Sequence, residues 1–92
     1  MTPANRLLPG VLAEILRKAP LTHDKVTFAW RTAVGPAVDK ATRVDLLNGV
    51  LYVVARDAVW QREVERSAPL IRTRLGDLLG NDVVRFIKVT GP

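Results

Sequence analysis

The chain predicts an α+β fold in the order α–β–β–α–α–β, with a three-stranded sheet packed against helices and an extra helix at the N-terminus. Three observations carry this. Ala33-Val34-Gly35-Pro36 closes a helix, Asn48-Gly49 joins two apolar runs, and two further amphipathic stretches precede one last apolar run ending at Val89. An Asn-Gly link between apolar runs is a strong hairpin signal, because both residues tolerate the positive φ of a tight two-residue turn.

The elements follow in order. Leu8, Val11, Leu12, Ile15 and Ala19 recur at helical spacing after Pro9-Gly10, and Pro20 ends the run. This is a short amphipathic helix whose stripe either packs onto the domain or docks a partner. A second helix spans about Asp24 to Val34, with Thr22 or Asp24 as N-cap and Val26, Ala29, Trp30 and Ala33 on one face. Gly35 supplies a left-handed stop and Pro36 forbids simple continuation, with a helical turn over Ala37 to Ala41 after it.

Thr42 to Leu47 and Val50 to Arg56 then form antiparallel strands around a type I′ turn. Alternation places Val44 and Leu46 on one face with Leu51, Val53 and Ala55. Arg43, Asp45, Tyr52, Val54 and Arg56 fall on the other. Asp57 caps a helix to about Arg66, with Trp60 and Val64 facing inward and Arg62 and Arg66 outward. Ser67-Ala68-Pro69 breaks and restarts it, and Ile71, Leu75, Leu78 and Leu79 make the next buried stripe until Gly80-Asn81. Val83 to Val89 reads as the third strand, although Phe86-Ile87 blurs its alternation and leaves the faces of Arg85 and Lys88 open. Trp30 and Trp60 are both expected as core anchors.

A chain of 92 residues that is 48% apolar suits a single domain, residues 1–92, of marginal stability. With no cysteine, disulfides, thiolate zinc sites and thiol nucleophiles are excluded, which fits a reducing cytoplasm. The opening Met1-Thr2-Pro3-Ala4-Asn5 lacks the charge-then-apolar order of a secretory leader, and no apolar run approaches the ~20 residues of a membrane span. The expected setting is cytoplasmic, without membrane contact.

No constellation for catalysis emerges, and no cofactor is expected. His23 is the only histidine, so a two-histidine metal site is impossible. Glu63 and Glu65 project from different sides of one helix, Asp57 sits at a cap, and no Gly-x-x-x-x-Gly-Lys phosphate loop occurs. The charge balance points elsewhere: 14 Lys+Arg against 9 Asp+Glu give a net charge of +5. Ten of the cations are arginines, whose five-donor fork suits phosphates and stacks on bases. A basic domain attracts polyanions, although the same excess also serves solubility.

In their order and spacing, these pieces resemble the DciA-like family of bacterial proteins, long described as a domain of unknown function. The residues that carry the resemblance are Trp30-Arg31-Thr32-Ala33-Val34-Gly35, Ala41-Thr42-Arg43, Asn48-Gly49-Val50-Leu51-Tyr52-Val53, Ala58-Val59-Trp60-Gln61-Arg62-Glu63-Val64, Leu75 and Val84-Arg85-Phe86-Ile87. They extend over roughly residues 7 to 90. The resemblance implies a K-homology-like domain (type II order) that is not an enzyme, binds the replicative DnaB-type helicase hexamer and helps place it on single-stranded DNA near the nucleoid. Many members carry a disordered basic extension. This chain stops at Thr90-Gly91-Pro92, so functions assigned to such a tail are in doubt for it unless a tail follows in a longer chain.

K-homology domains hold a nucleic-acid backbone with a glycine-rich loop between consecutive helices. Here Arg66-Ser67-Ala68-Pro69 occupies that place, and proline supplies no backbone donor, so a close backbone clamp is disfavoured. The expected nucleic-acid contacts are instead Arg43, Arg56, Arg62, Arg66 and Arg72, near the hairpin and the helix junction, with Tyr52 as a stacking platform. Such binding is weakly sequence-specific and salt-sensitive. The alternatives are a stand-alone K-homology-like RNA-binding module and an adaptor that only bridges proteins. Homo-oligomerisation through a sheet edge is possible, and the sequence is silent on it.

Overall fold

The computed structural model describes residues 11, 14, 15 and 17–92. The first helix described over its full length, α1 (His23–Val34), starts where Thr22 Oγ1 accepts the backbone N–H of Lys25 at 3.1 Å, so Thr22 rather than Asp24 is the cap. It ends at Gly35, whose φ of 88° lies in a region that favours glycine and whose N–H returns to Arg31 O at 2.9 Å. Pro36 then opens the five-residue α2 (Pro36–Lys40), where its missing N–H costs nothing.

Strands β1 (Thr42–Leu47) and β2 (Val50–Ala55) pair antiparallel, with Val44 opposite Val53 and Asp45 opposite Tyr52. Asn48 at φ 51° and Gly49 at φ 81° supply the two positive dihedrals of the expected type I′ turn. The strand β3 (Phe86–Thr90) lies parallel to β2, which places it at the sheet edge in the order β1-β2-β3. It begins three residues later than the sequence suggests. Gly49 O accepts from both Arg85 N at 2.7 Å and Phe86 N at 3.1 Å, so the segment before Phe86 is tied to the hairpin turn rather than to the ladder.

The two helices expected between β2 and β3 are one, α3 (Ala58–Leu79), which runs through Pro69. Proline removes the donor to the carbonyl four residues back, yet Pro69 lies on the exposed side, where water can serve that carbonyl. The buried residues Val64, Ile71, Leu75, Leu78 and Leu79 continue as one stripe across the proline, and this packing outweighs the local break signal. Asp57 caps the helix by accepting Trp60 N at 3.0 Å.

The helices cover one face of the sheet. Leu51 and Val53 from β2 meet Val26, Ala29, Trp30 and Ala33 from α1 and the α3 stripe in one cluster, with Val84 closing it before β3. Trp30 is fully buried and donates its indole N–H to Thr42 Oγ1 at 3.0 Å; that hydroxyl in turn donates to Val38 O at 2.7 Å. Trp60 does not join it as a core anchor. It is half-buried and outside the cluster, one turn before Val64, the first buried residue of α3.

Leu8 and Leu12 of the N-terminal stripe lie outside the described residues. Glu14, Ile15, Arg17 and Lys18 are helical, while Val11 and Ile15 are exposed. Polar contacts tie this segment down: Arg17 Nη1 donates to Asp77 O at 2.8 Å and Lys25 Nζ to Ala19 O at 2.7 Å.

Candidate nucleic-acid interface

Among the described residues α1, α2 and α3 pack on one side of the sheet, and the side chains on its other side are largely exposed. Strand alternation sends Arg43, Asp45 and Leu47 from β1, Tyr52 and Val54 from β2, and Phe86, Lys88 and Thr90 from β3 to this side, and all are exposed. The register arranges them in rows: Arg43, Val54 and Thr90; then Asp45, Tyr52 and Lys88; then Leu47, Val50 and Phe86. Arg56 follows β2 on the same alternation and is exposed, with its Nε 3.5 Å from Asp57.

The expected contacts therefore fall on different surfaces. Arg43, Tyr52 and Arg56 belong to the open sheet face. Arg62 and Arg66 stand one helical turn apart on the solvent side of α3, across the molecule from that face. Arg72 lies on the flank of α3, where with Ala68, Pro69, Thr73, Phe86 and Ile87 it lines a shallow cleft of about 410 Å³. Phe86 belongs both to the sheet face and to this cleft, because β3 is the edge strand beneath α3.

The ionic state of these groups differs. Arg43, Arg62 and Arg72 form no ion pair among the described residues, whereas Arg66 is paired with Glu63 one turn before it. Free guanidinium groups give up less to meet a phosphate, so Arg62 is better placed for that contact than Arg66. Arg74 is committed elsewhere: its Nη1 donates to Ala33 O at 2.9 Å, at the C-terminal end of α1, where a cation is favoured.

Sequence reasoning left out Phe86 and Lys88. Lys88 stands directly beside Tyr52 in the parallel register, and Phe86 is among the most exposed apolar side chains. Only the placement of β3 settles their side of the sheet, since the adjacent Phe86-Ile87 pair fits either phase of the alternation. Arg85 precedes the strand and lies over Gly49.

His23 is exposed, with Nδ1 3.9 Å from Asp45 Oδ1. Among the described residues, no group of three or more His, Asp or Glu side chains is placed to hold a metal ion, and no helix is long and apolar enough to cross a membrane.

A family model described as "Dna[CI] antecedent, DciA" matches residues 3–89. Curated relatives are similar over much of the chain. The UPF0232 protein of Mycobacterium tuberculosis is 34% identical over 64 residues, covering 68% of this chain and 34% of that protein. The corresponding figures for the UPF0232 protein of Mycobacterium leprae are 32% over 75 residues, 80% and 40%. For that of Mycolicibacterium paratuberculosis they are 28% over 91 residues, 98% and 50%. The chain thus matches between a third and a half of the length of these relatives.

Proposed function

Because the chain belongs to the DciA family, we propose that it is a non-enzymatic DNA-replication factor, which binds the DnaB-type replicative helicase and assists its loading on single-stranded DNA. The observation that carries this reading is the family match over residues 3–89, nearly the whole chain. The partners are the helicase hexamer and single-stranded DNA, in a cytoplasmic, nucleoid-associated setting. Nucleic acid is held through Arg43, Arg56, Arg62, Arg66 and Arg72, with Tyr52 offering a stacking surface.

Electrostatics supports the reading. The net charge of +5 draws the chain toward a polyanion, and exposed arginines without acidic partners are free to neutralise phosphates. Binding of this kind tracks the backbone and is weakly sequence-specific, which suits a factor that acts wherever single strands are exposed.

The test is helicase loading onto forked DNA with and without the purified chain, using the replicative helicase of the same organism. Faster loading in its presence is the expected result. A folded chain that leaves loading unchanged contradicts the proposal. Preference for structured RNA without helicase binding would then favour an RNA-binding module, and absence of any nucleic-acid binding at low salt would favour a protein-bridging adaptor.

A further inference from the structure

We propose that the open face of the sheet is a stacking platform for single-stranded nucleic acid, in which Tyr52 and Phe86 each hold one base and Arg43 and Lys88 meet the flanking phosphates. The proposal rests on the nucleic-acid reading above and assigns it to one surface, using Phe86 and Lys88 in addition to the contacts already considered.

Geometry supplies the first argument. Tyr52 and Phe86 sit on neighbouring parallel strands and project from the same face, two residues out of register with each other. With strands ~4.8 Å apart and a rise of ~3.3 Å per residue, their Cα atoms are separated by about 8 Å along the diagonal. Two rings on adjacent strands of an uncovered sheet can accept two unstacked bases, the arrangement by which sheet-based RNA-binding modules read single strands. Both side chains are open to solvent, Tyr52 at 39% and Phe86 at 65% exposure. At 65% exposure the Phe86 ring contributes little to the core, so core packing is not what holds it in place.

Charge selects the occupant. Arg43, Arg56 and Lys88 stand on the face with Asp45, which lies near His23, and Arg56 is already paired with Asp57. Arg43 and Lys88 form no ion pair among the described residues. They flank Tyr52 on its two neighbouring strands: Lys88 directly beside it on β3, Arg43 one row along on β1. Aromatic surface bordered by unpaired cations fits a ligand of alternating π-faces and phosphates. A protein partner would bury Leu47, Val50 and Val54 and require acidic groups against these cations, and it is the competing outcome of the test.

The experiment is fluorescence anisotropy with a labelled oligothymidine of about fifteen nucleotides at low salt, with circular dichroism to confirm the fold of each variant. Tyr52→Ala and Phe86→Ala are each expected to weaken binding about tenfold, while Tyr52→Phe, which keeps the ring, stays near the parent. Because stacking releases no counterions, the aromatic variants keep the parent's salt slope. Arg43→Ala and Lys88→Ala each reduce its magnitude by about 0.7. Parent-like affinity in both aromatic variants, with binding lost in Arg62→Ala, overturns the platform and leaves the nucleic-acid reading standing on α3. If the parent itself does not bind at low salt, both fail. If the aromatic variants bind the oligonucleotide normally but lose the helicase, the face is a protein-docking surface and the platform is again overturned.

Discussion

Trp30 Nε1 donates to Thr42 Oγ1 at 3.0 Å, joining the centre of α1 to the first residue of β1. The bond satisfies the one polar atom of the largest buried side chain, and Thr42 passes it on to Val38 in the middle of α2. Three elements thus share one hydrogen-bonded corner. Thr42→Val keeps the shape but leaves the buried indole N–H unpaired, so it is expected to cost about 1–3 kcal/mol in denaturant unfolding. Thr42→Ser retains the hydroxyl and should cost less.

The two tryptophans should separate sharply. Trp30 is 1% exposed at the core centre, and Trp30→Ala is expected to remove about 3–5 kcal/mol, a large share of a small domain's stability. Trp60, half-buried and outside the cluster, should cost less than about 1.5 kcal/mol when replaced by alanine. Chemical denaturation of the two variants side by side measures this.

Pro69 offers a gain. It lies exposed in the interior of a 22-residue helix, where proline is about 3 kcal/mol less favourable than alanine. Pro69→Ala returns a donor to the carbonyl of Glu65, and part of the benefit is offset by the freer unfolded chain. The expected result is an increase of about 2 kcal/mol in unfolding free energy.

Gly49 carries backbone strain for any other residue. At φ 81°, an added Cβ would also lie 2.8 Å from Arg85 Nε. The arginine can swing away, but the dihedral cannot relax without opening the turn. Gly49→Ala is therefore expected to cost about 1–2 kcal/mol, and adding Arg85→Ala should not restore the loss.

Much of this architecture is legible in the residues. Asn48-Gly49, the Gly35-Pro36 stop and the alternation of β1 and β2 are local signals, set by dihedral preference and side-chain period, and the structure bears them out. The break expected at Ser67-Ala68-Pro69 is overridden because a continuous apolar stripe flanks it, a tertiary effect that a local breaker cannot reveal. Trp60 misled for a related reason: helical spacing from Val64 says which side of the helix it shares, not whether the core extends beneath it. For the candidate site, Arg43, Tyr52 and Arg56 could be grouped from strand period alone. Their separation from Arg62 and Arg66, and the approach of Lys88 and Phe86 to Tyr52, depend on a parallel pairing between distant segments.

Salt dependence distinguishes arginines that are otherwise alike. If about three phosphates of a single strand are neutralised, log K should fall against log salt with a slope of roughly −2. Arg62, which forms no ion pair among the described residues, should contribute more than Arg66, which is held by Glu63. Arg62→Ala is therefore expected to flatten the slope more than Arg66→Ala, as read by titrations at several salt concentrations.

The central claim, partnership with the replicative helicase, is tested most directly by a pull-down of the purified chain with the helicase hexamer of its own organism. The account predicts that the hexamer is retained by the folded chain and not by a control matrix. A chain shown to be folded by circular dichroism that fails to retain the helicase would contradict it.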